Sequence, residues 1–162
     1  MKRRTALLAL STLGLSACGF QLRGSGRQSA LRFKTLHIAG NNGGLAFALR
    51  RMIEAGNGTT VVDDPKQAEA IIDILGEARD RGTITLNTQG RIREYSLYYR
   101  VNFRVRGAAG QEMLAPTLIV LRRDLSFNEA QAIAKEREEE MLFRDMQGDA
   151  VQQILRRLAA IH

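Results

Sequence analysis

The sequence predicts an α+β fold: a two-layer sandwich, two helices packed on one face of a four-stranded sheet, in the order β-α-β-β-β-α. Three observations predict it. Between Tyr95 and Arg106 apolar and polar residues alternate strictly, the mark of a strand with one buried face. Runs 70–87 and 114–125 flank it and are also strand-like. Segments 45–53 and 143–161 instead repeat their apolar residues every three or four positions, as helices do.

Taken in order, Phe33 to Ala39 is the first strand, with Leu36 and Ile38 on one face. Asn41-Asn42-Gly43-Gly44 makes a turn or helix start. Leu45, Leu49, Met52 and Ile53 then fall at helical spacing, and Gly56 and Gly58 end that helix as C-cap glycines do. Asp63-Asp64-Pro65 is a turn, with Pro65 able to open a short helical turn. Ile72, Ile74, Gly76 and Ala78 share one parity, as do Ile84 and Leu86. This reads as one long or bent strand, 70–87, with Gly76 and Gly82 at bends or bulges. Asn87 to Gly90 turns the chain. In the next strand Tyr95, Leu97, Tyr99, Val101, Phe103 and Val105 form the buried face. Ser96, Tyr98, Arg100, Asn102, Arg104 and Arg106 form the wet one. Gly107 to Gly110 is a hairpin loop. Leu114 to Leu125 is the partner strand, with Pro116 near its start, where edge pairing tolerates it. Asn128 is an N-cap with Gln131 three residues on. The helical run 129–160 spans about 48 Å at 1.5 Å per residue. Gly148 within it costs about 1 kcal/mol relative to Ala and marks a place for a bend.

A chain of 162 residues, with 44% apolar and 25% charged residues, suits one domain. Its N-terminus is not part of that domain. Lys2, Arg3 and Arg4 precede an apolar segment, Ala6 to Leu15, of about ten residues, where a spanning helix needs roughly 20. Residues 1–17 therefore read as a cleaved signal. The run Leu15-Ser16-Ala17-Cys18 looks like a bacterial lipobox, with Leu15 too large for an ordinary A-x-A-like site. Cys18 is the sole cysteine, so no internal disulfide can form, and lipidation accounts for it. The plainer alternative is a secreted protein with one stray cysteine. By resemblance to this class of signals, the covalent acyl and diacylglyceryl lipid on Cys18 is the only cofactor-like group expected. Gly19, where an inner-membrane retention signal has Asp, favours the outer membrane. Residues 18–32 form a polar tether and 33–162 a single α/β domain. Cleavage removes three of the 24 basic residues and none of the 17 acidic ones, leaving a net charge of +4. That suits an anionic partner without requiring nucleic acid, which export also disfavours.

The string Cys18-Gly19-Phe20-Gln21-Leu22-Arg23-Gly24 resembles the mature N-terminus of the LPS-assembly lipoprotein family, LptE. Glu94-Tyr95 opening the alternating strand is also similar, as are Phe127-Asn128 before an acidic helix and Gln153-Ile154-Leu155-Arg156-Arg157-Leu158 near the end. The resemblance implies two helices on a four-stranded sheet. It also implies a lipid-anchored plug, on the periplasmic side and within the lumen of the LptD outer-membrane barrel, that assists barrel assembly and binds lipopolysaccharide for insertion into the outer leaflet.

Lipid A carries phosphates, which arginine binds through two parallel hydrogen bonds. The candidate lipopolysaccharide contacts are Arg91 and Arg93 at a loop tip, Arg104 and Arg106 at the far strand end, and Lys135 in the last helix. For each alone, ordinary surface charge is the plainer alternative. Arg122-Arg123 pairing with Asp124 or with acidic groups across the sheet reads as structural, Glu136 to Glu140 as a solvated helix face, and Tyr98 as an interface anchor or an exposed ring. No catalytic residue or metal-ligand set is expected: no His/Cys/Asp cluster, Gly-x-Ser-x-Gly elbow or phosphate loop is present. A generic lipid-binding or ABC-transport auxiliary lipoprotein facing the periplasm is the alternative function, and a lipoprotein hydrolase a more distant one.

Overall fold

The computed structural model of the chain describes residues 31–40, 43–56, 58–86 and 88–161. The signal segment 1–17, Cys18 and the tether as far as residue 30 lie outside the described residues, as do Asn41, Asn42 and Asn87 of the expected turns. The elements are β1 (Thr35–Ala39), α1 (Gly44–Ala55), β2 (Thr60–Val61), a 3₁₀ turn (Pro65–Gln67), β3 (Ala70–Leu86), β4 (Ile92–Gly107), β5 (Glu112–Ser126), a second 3₁₀ turn (Glu129–Gln131) and α2 (Ala132–Ala159).

The sheet has five strands, not the four expected, in the order β2-β1-β3-β4-β5. The extra one, β2, is two residues long and pairs parallel with β1, Thr35 with Thr60 and Leu36 with Val61. Parallel neighbours need a crossover, and α1 supplies it. β3, β4 and β5 then form an antiparallel meander.

Both helices cover one face of this sheet, as expected. Leu45, Leu49 and Ile53 of α1 and Phe143, Met146, Ala150, Ile154 and Leu158 of α2 join Leu36, Ile72 and the odd residues Leu97 to Val105 of β4 in one buried cluster. Each Leu, Ile, Val or Phe so buried contributes roughly 1.5–3 kcal/mol. The helix α2 runs unbroken through Gly148, whose Cα faces open space, so no bend is needed there. Asn128 caps as expected, but it caps the 3₁₀ turn: its Oδ1 accepts the Ala130 N–H at 3.0 Å. At the end of α1, Gly56 stays extended at φ −81°, so it is not a left-handed cap. Its N–H donates to the Ile53 carbonyl at 3.0 Å.

The long strand β3 is where parity reading fails. Ile72 and Ile74 stand opposite Val105 and Phe103, but a register shift follows between Ile74 and Gly76, with Leu75 as the extra residue. A bulge moves every later side chain to the other face. Gly76 and Ala78 therefore lie opposite Asn102 and Arg100 on the open face. Glu77, Arg79 and Arg81 turn toward the helices, opposite Val101, Tyr99 and Leu97. A second irregularity, between Phe103 and Val105 on β4, falls against Pro116 on the edge strand β5. There Thr117 Oγ1 donates to the Ala115 carbonyl at 2.7 Å, and the missing proline N–H disturbs no ladder.

Candidate functional site

β4 separates the expected basic residues into two groups. Arg93 and Arg104 are eleven positions apart on one strand, on the order of 35 Å at about 3.3 Å per residue. At the β3–β4 hairpin end lies a cavity of about 610 Å³ lined by Thr85, Gln89, Arg91, Arg93, Phe127 and Glu129, among others. That volume is in the range of a small-ligand site. Arg91 Nη1 pairs with Glu129 Oε2 at 2.8 Å, both well exposed. Arg93 is exposed, and its carbonyl accepts the Phe127 N–H at 2.7 Å, which fixes the strand against the chain leaving β5. The Phe127 ring meets Tyr95 edge-on at 5.3 Å.

Lys135 belongs to the same end but is not in the cavity lining. It is 15% exposed and donates to Ser126 Oγ at 3.0 Å and Glu138 Oε2 at 2.8 Å. It acts as a strut between the end of β5 and the first turn of α2.

At the other end Arg104 and Arg106 share one carboxylate. Asp73 Oδ2 accepts Arg104 Nε at 2.8 Å and Arg106 Nε at 2.9 Å, and Oδ1 accepts Arg106 Nη2 at 3.3 Å. Burial pushes the Asp73 carboxyl up, but hydrogen bonds and charge from Arg106 and Arg104 together outweigh it and hold the group below the usual carboxylate range. One positive charge of this trio remains uncompensated.

Between the two ends the open face of the sheet is an ordered ionic surface. Tyr98 lies between the guanidinium groups of Arg100, at 5.1 Å, and Arg122, at 5.9 Å. Arg100 pairs with Asp80. Arg122 pairs with Asp124 at 3.0 Å, and the Ser96 hydroxyl donates to the same carboxylate at 2.7 Å. Arg123, on the helix face, pairs with Asp149 of α2 at 2.7 Å and not with an acid across the sheet. Leu118 and Val120 stay exposed on the open face.

The sequence reading missed a charged layer under α2. Arg79 reaches Glu140 at 3.6 Å and Arg81 reaches Glu139 at 3.2 Å. Their guanidinium groups also lie over Phe143, at 5.4 Å, and Tyr95, at 4.7 Å. Tyr99 OH donates to Glu77 Oε1 at 2.6 Å. Burial first, and the Glu77 carboxylate second, push the Tyr99 phenol well above its ordinary value of 10. The acidic run 136–140 is thus partly an interface, and only the bulge at Leu75 reveals it. Among the described residues no helix is long and apolar enough to cross a membrane, and no three His, Cys, Asp or Glu side chains are placed to hold a metal ion.

The chain resembles known proteins over most of its length. A curated relative, the LPS-assembly lipoprotein LptE of Yersinia enterocolitica, is 31% identical over 158 residues, covering 96% of this chain and 75% of the relative. The solution structure of lipoprotein B from Nitrosomonas europaea has a TM-score of 0.76 at 41% identity, covering 88% of this chain and 91% of that one. The crystal structure of rare lipoprotein B from Shewanella oneidensis has a TM-score of 0.68 at 28% identity, covering 78% and 94%. The family model described as LptE, lipopolysaccharide-assembly, matches residues 33–158. With the whole helix-covered sheet inside that match, the chain belongs to the LptE lipopolysaccharide-assembly family.

Proposed function

We propose that this chain is a lipoprotein of the outer membrane, anchored through Cys18, that plugs an LptD-type β-barrel, helps it assemble, and binds lipopolysaccharide for delivery to the outer leaflet. The observation that carries the reading is the family match across residues 33–158. Two physical features support it. Large barrels enclose polar lumens, and the open sheet face, with its paired charges and Tyr98, is a surface suited to one. The hairpin-end cavity presents Arg91 and Arg93, the groups that phosphate recognition needs. Arg104 and Arg106 can supply a second, weaker contact through the charge Asp73 leaves uncompensated, while Lys135 positions the helix instead of meeting ligand.

Lipid at Cys18 gives reversible anchoring per chain, at about 0.8 kcal/mol per buried CH₂, and stable anchoring when several chains act together. The test is capture of the tagged full-length chain from native membranes in detergent, with mass spectrometry of what accompanies it. The expected result is one stoichiometric large barrel. An inner-membrane transporter in its place would sink the reading in favour of a transport auxiliary. Cys18→Ser, followed by membrane fractionation and fatty-acid labelling, tests the anchor separately.

A further inference from the structure

Of the groups that line the hairpin-end cavity, Arg91 and Arg93 attract an anion and Glu129 repels one. The backbone on either side of Glu129 is tied down. The Phe127 N–H donates to the Arg93 carbonyl at 2.7 Å, and Asn128 Oδ1 accepts the Ala130 N–H at 3.0 Å. These bonds set the carboxylate opposite Arg91, with Oε2 2.8 Å from Nη1. A bare anion entering the cavity has to displace that carboxylate from Arg91 or sit beside it, and both oppose binding. Exposed pairs of this kind are weak, so Glu129 tunes binding and does not block it.

The rest of the lining is neutral and suits a second chemistry. Thr88, Gln89 and Asn128 carry hydroxyl and amide groups, and Ile92 and Phe127 add apolar surface. The Asn128 oxygen is taken by the Ala130 N–H, which leaves its amide hydrogens to donate. A carboxylate has about four acceptor positions, and the Arg91 pair engages one oxygen of Glu129. Glu129 is therefore a strong acceptor for a ligand that carries O–H or N–H groups next to its phosphate. Such a ligand sets its phosphate on the two arginines and its hydroxyls on Glu129. Sulfate carries a similar charge and no donor. It meets the arginines alone and disrupts the Arg91 pair.

We infer that Glu129 is a specificity residue of this cavity, accepting hydrogen bonds from the hydroxyls of a phosphorylated sugar and turning away anions that bring no donor. The inference rests on the reading of the cavity as the lipopolysaccharide phosphate site, and it names the part of the ligand that the cavity selects.

The test titrates the full-length chain in detergent with sulfate and with glucose 1-phosphate. Ionic strength is held equal, at a mildly alkaline pH where both anions are doubly charged. Binding is followed by NMR at the backbone amides of residues 88–93 and 127–129. In the wild type glucose 1-phosphate binds roughly fivefold more tightly than sulfate or better. In Glu129→Gln sulfate binds roughly fivefold more tightly than it does in the wild type, and the preference for the sugar phosphate falls below about twofold. Glutamine keeps the shape, loses the charge and offers its own N–H to the anion. Unchanged signals elsewhere show the variant folded. Equal affinities for the two anions in the wild type overturn the inference. So does a Glu129→Gln that changes both affinities by the same factor, because a strut that merely positions Arg91 would do that. Absence of shifts at these amides with either anion overturns it as well. Lipopolysaccharide binding is measured on the same samples. A preference for glucose 1-phosphate without lipopolysaccharide binding supports the role of Glu129 and overturns only the lipopolysaccharide reading.

Discussion

Asp73 holds two arginines with one carboxylate at the far end of β4, and removing that carboxylate exposes what the pairs contribute. Asp73→Asn is expected to lower stability by about 1–2 kcal/mol in a urea titration, because Arg104 and Arg106 are then left facing each other. The folded carboxyl lies below its ordinary value of 3.8, so the folded state takes up a proton less readily than the unfolded chain. Its contribution is present above that ordinary value and is lost as pH falls through the folded one. The stability gap between wild type and Asp73→Asn should close on acidification and stay constant above the carboxylate range. Tyr99 has the opposite sign. Its folded phenol is raised above 10, so its contribution is present below that value and is lost as pH rises toward the folded one. Tyrosinate absorbance should contain a late component that appears only with unfolding and disappears in Tyr99→Phe. The arginines were visible in the sequence as a charged parity of β4. Their partner was not, because Asp73 lies 31 and 33 positions away and nothing local marks it.

The single inserted residue Leu75 decides the organisation of β3. Leu75→Ala keeps the bulge and loses only a side chain that is 47% exposed, so its cost should stay below about 1 kcal/mol. Deleting Leu75 removes the bulge but leaves Gly76 opposite Asn102, so Arg79 and Arg81 still face Glu140 and Glu139. Cooperative unfolding should therefore persist, as followed by near-ultraviolet circular dichroism. The unbroken helix α2 allows a gain instead. Gly148 is exposed and an added Cβ would meet nothing within 4 Å, so Gly148→Ala should raise stability by about 1 kcal/mol in thermal unfolding. The same comparison explains what the sequence made legible. Twelve alternating residues of β4 and the three-four spacing of α2 repeat often enough to reveal their period. Two residues of β2 cannot show a period at all, and one bulge inverts a pattern without changing its composition. The basic residues of the candidate site were therefore identifiable, while the split between cavity-lining Arg91 and Arg93, strut Lys135 and Asp73-bound Arg104 and Arg106 depended on tertiary contacts.

Across the whole molecule the two basic ends are expected to do different work. The double variant Arg91→Glu, Arg93→Glu should weaken lipopolysaccharide binding by roughly tenfold or more while moving stability by less than about 0.5 kcal/mol. Arg104→Ala with Arg106→Ala should do the reverse, and equal losses of binding at both ends would refute the division. The layer of Arg79, Arg81, Glu139 and Glu140 adds a further consequence at this scale. The second half of α2 lies on hydrocarbon through Met146, Ala150, Ile154 and Leu158, and the first half rests largely on ion pairs. Sulfate or phosphate salts strengthen the first kind of contact and screen the second. One helix is therefore gripped at its tail and released at its head by the same rise in ionic strength, and its leading turns can peel from the hairpin while the body of the protein holds.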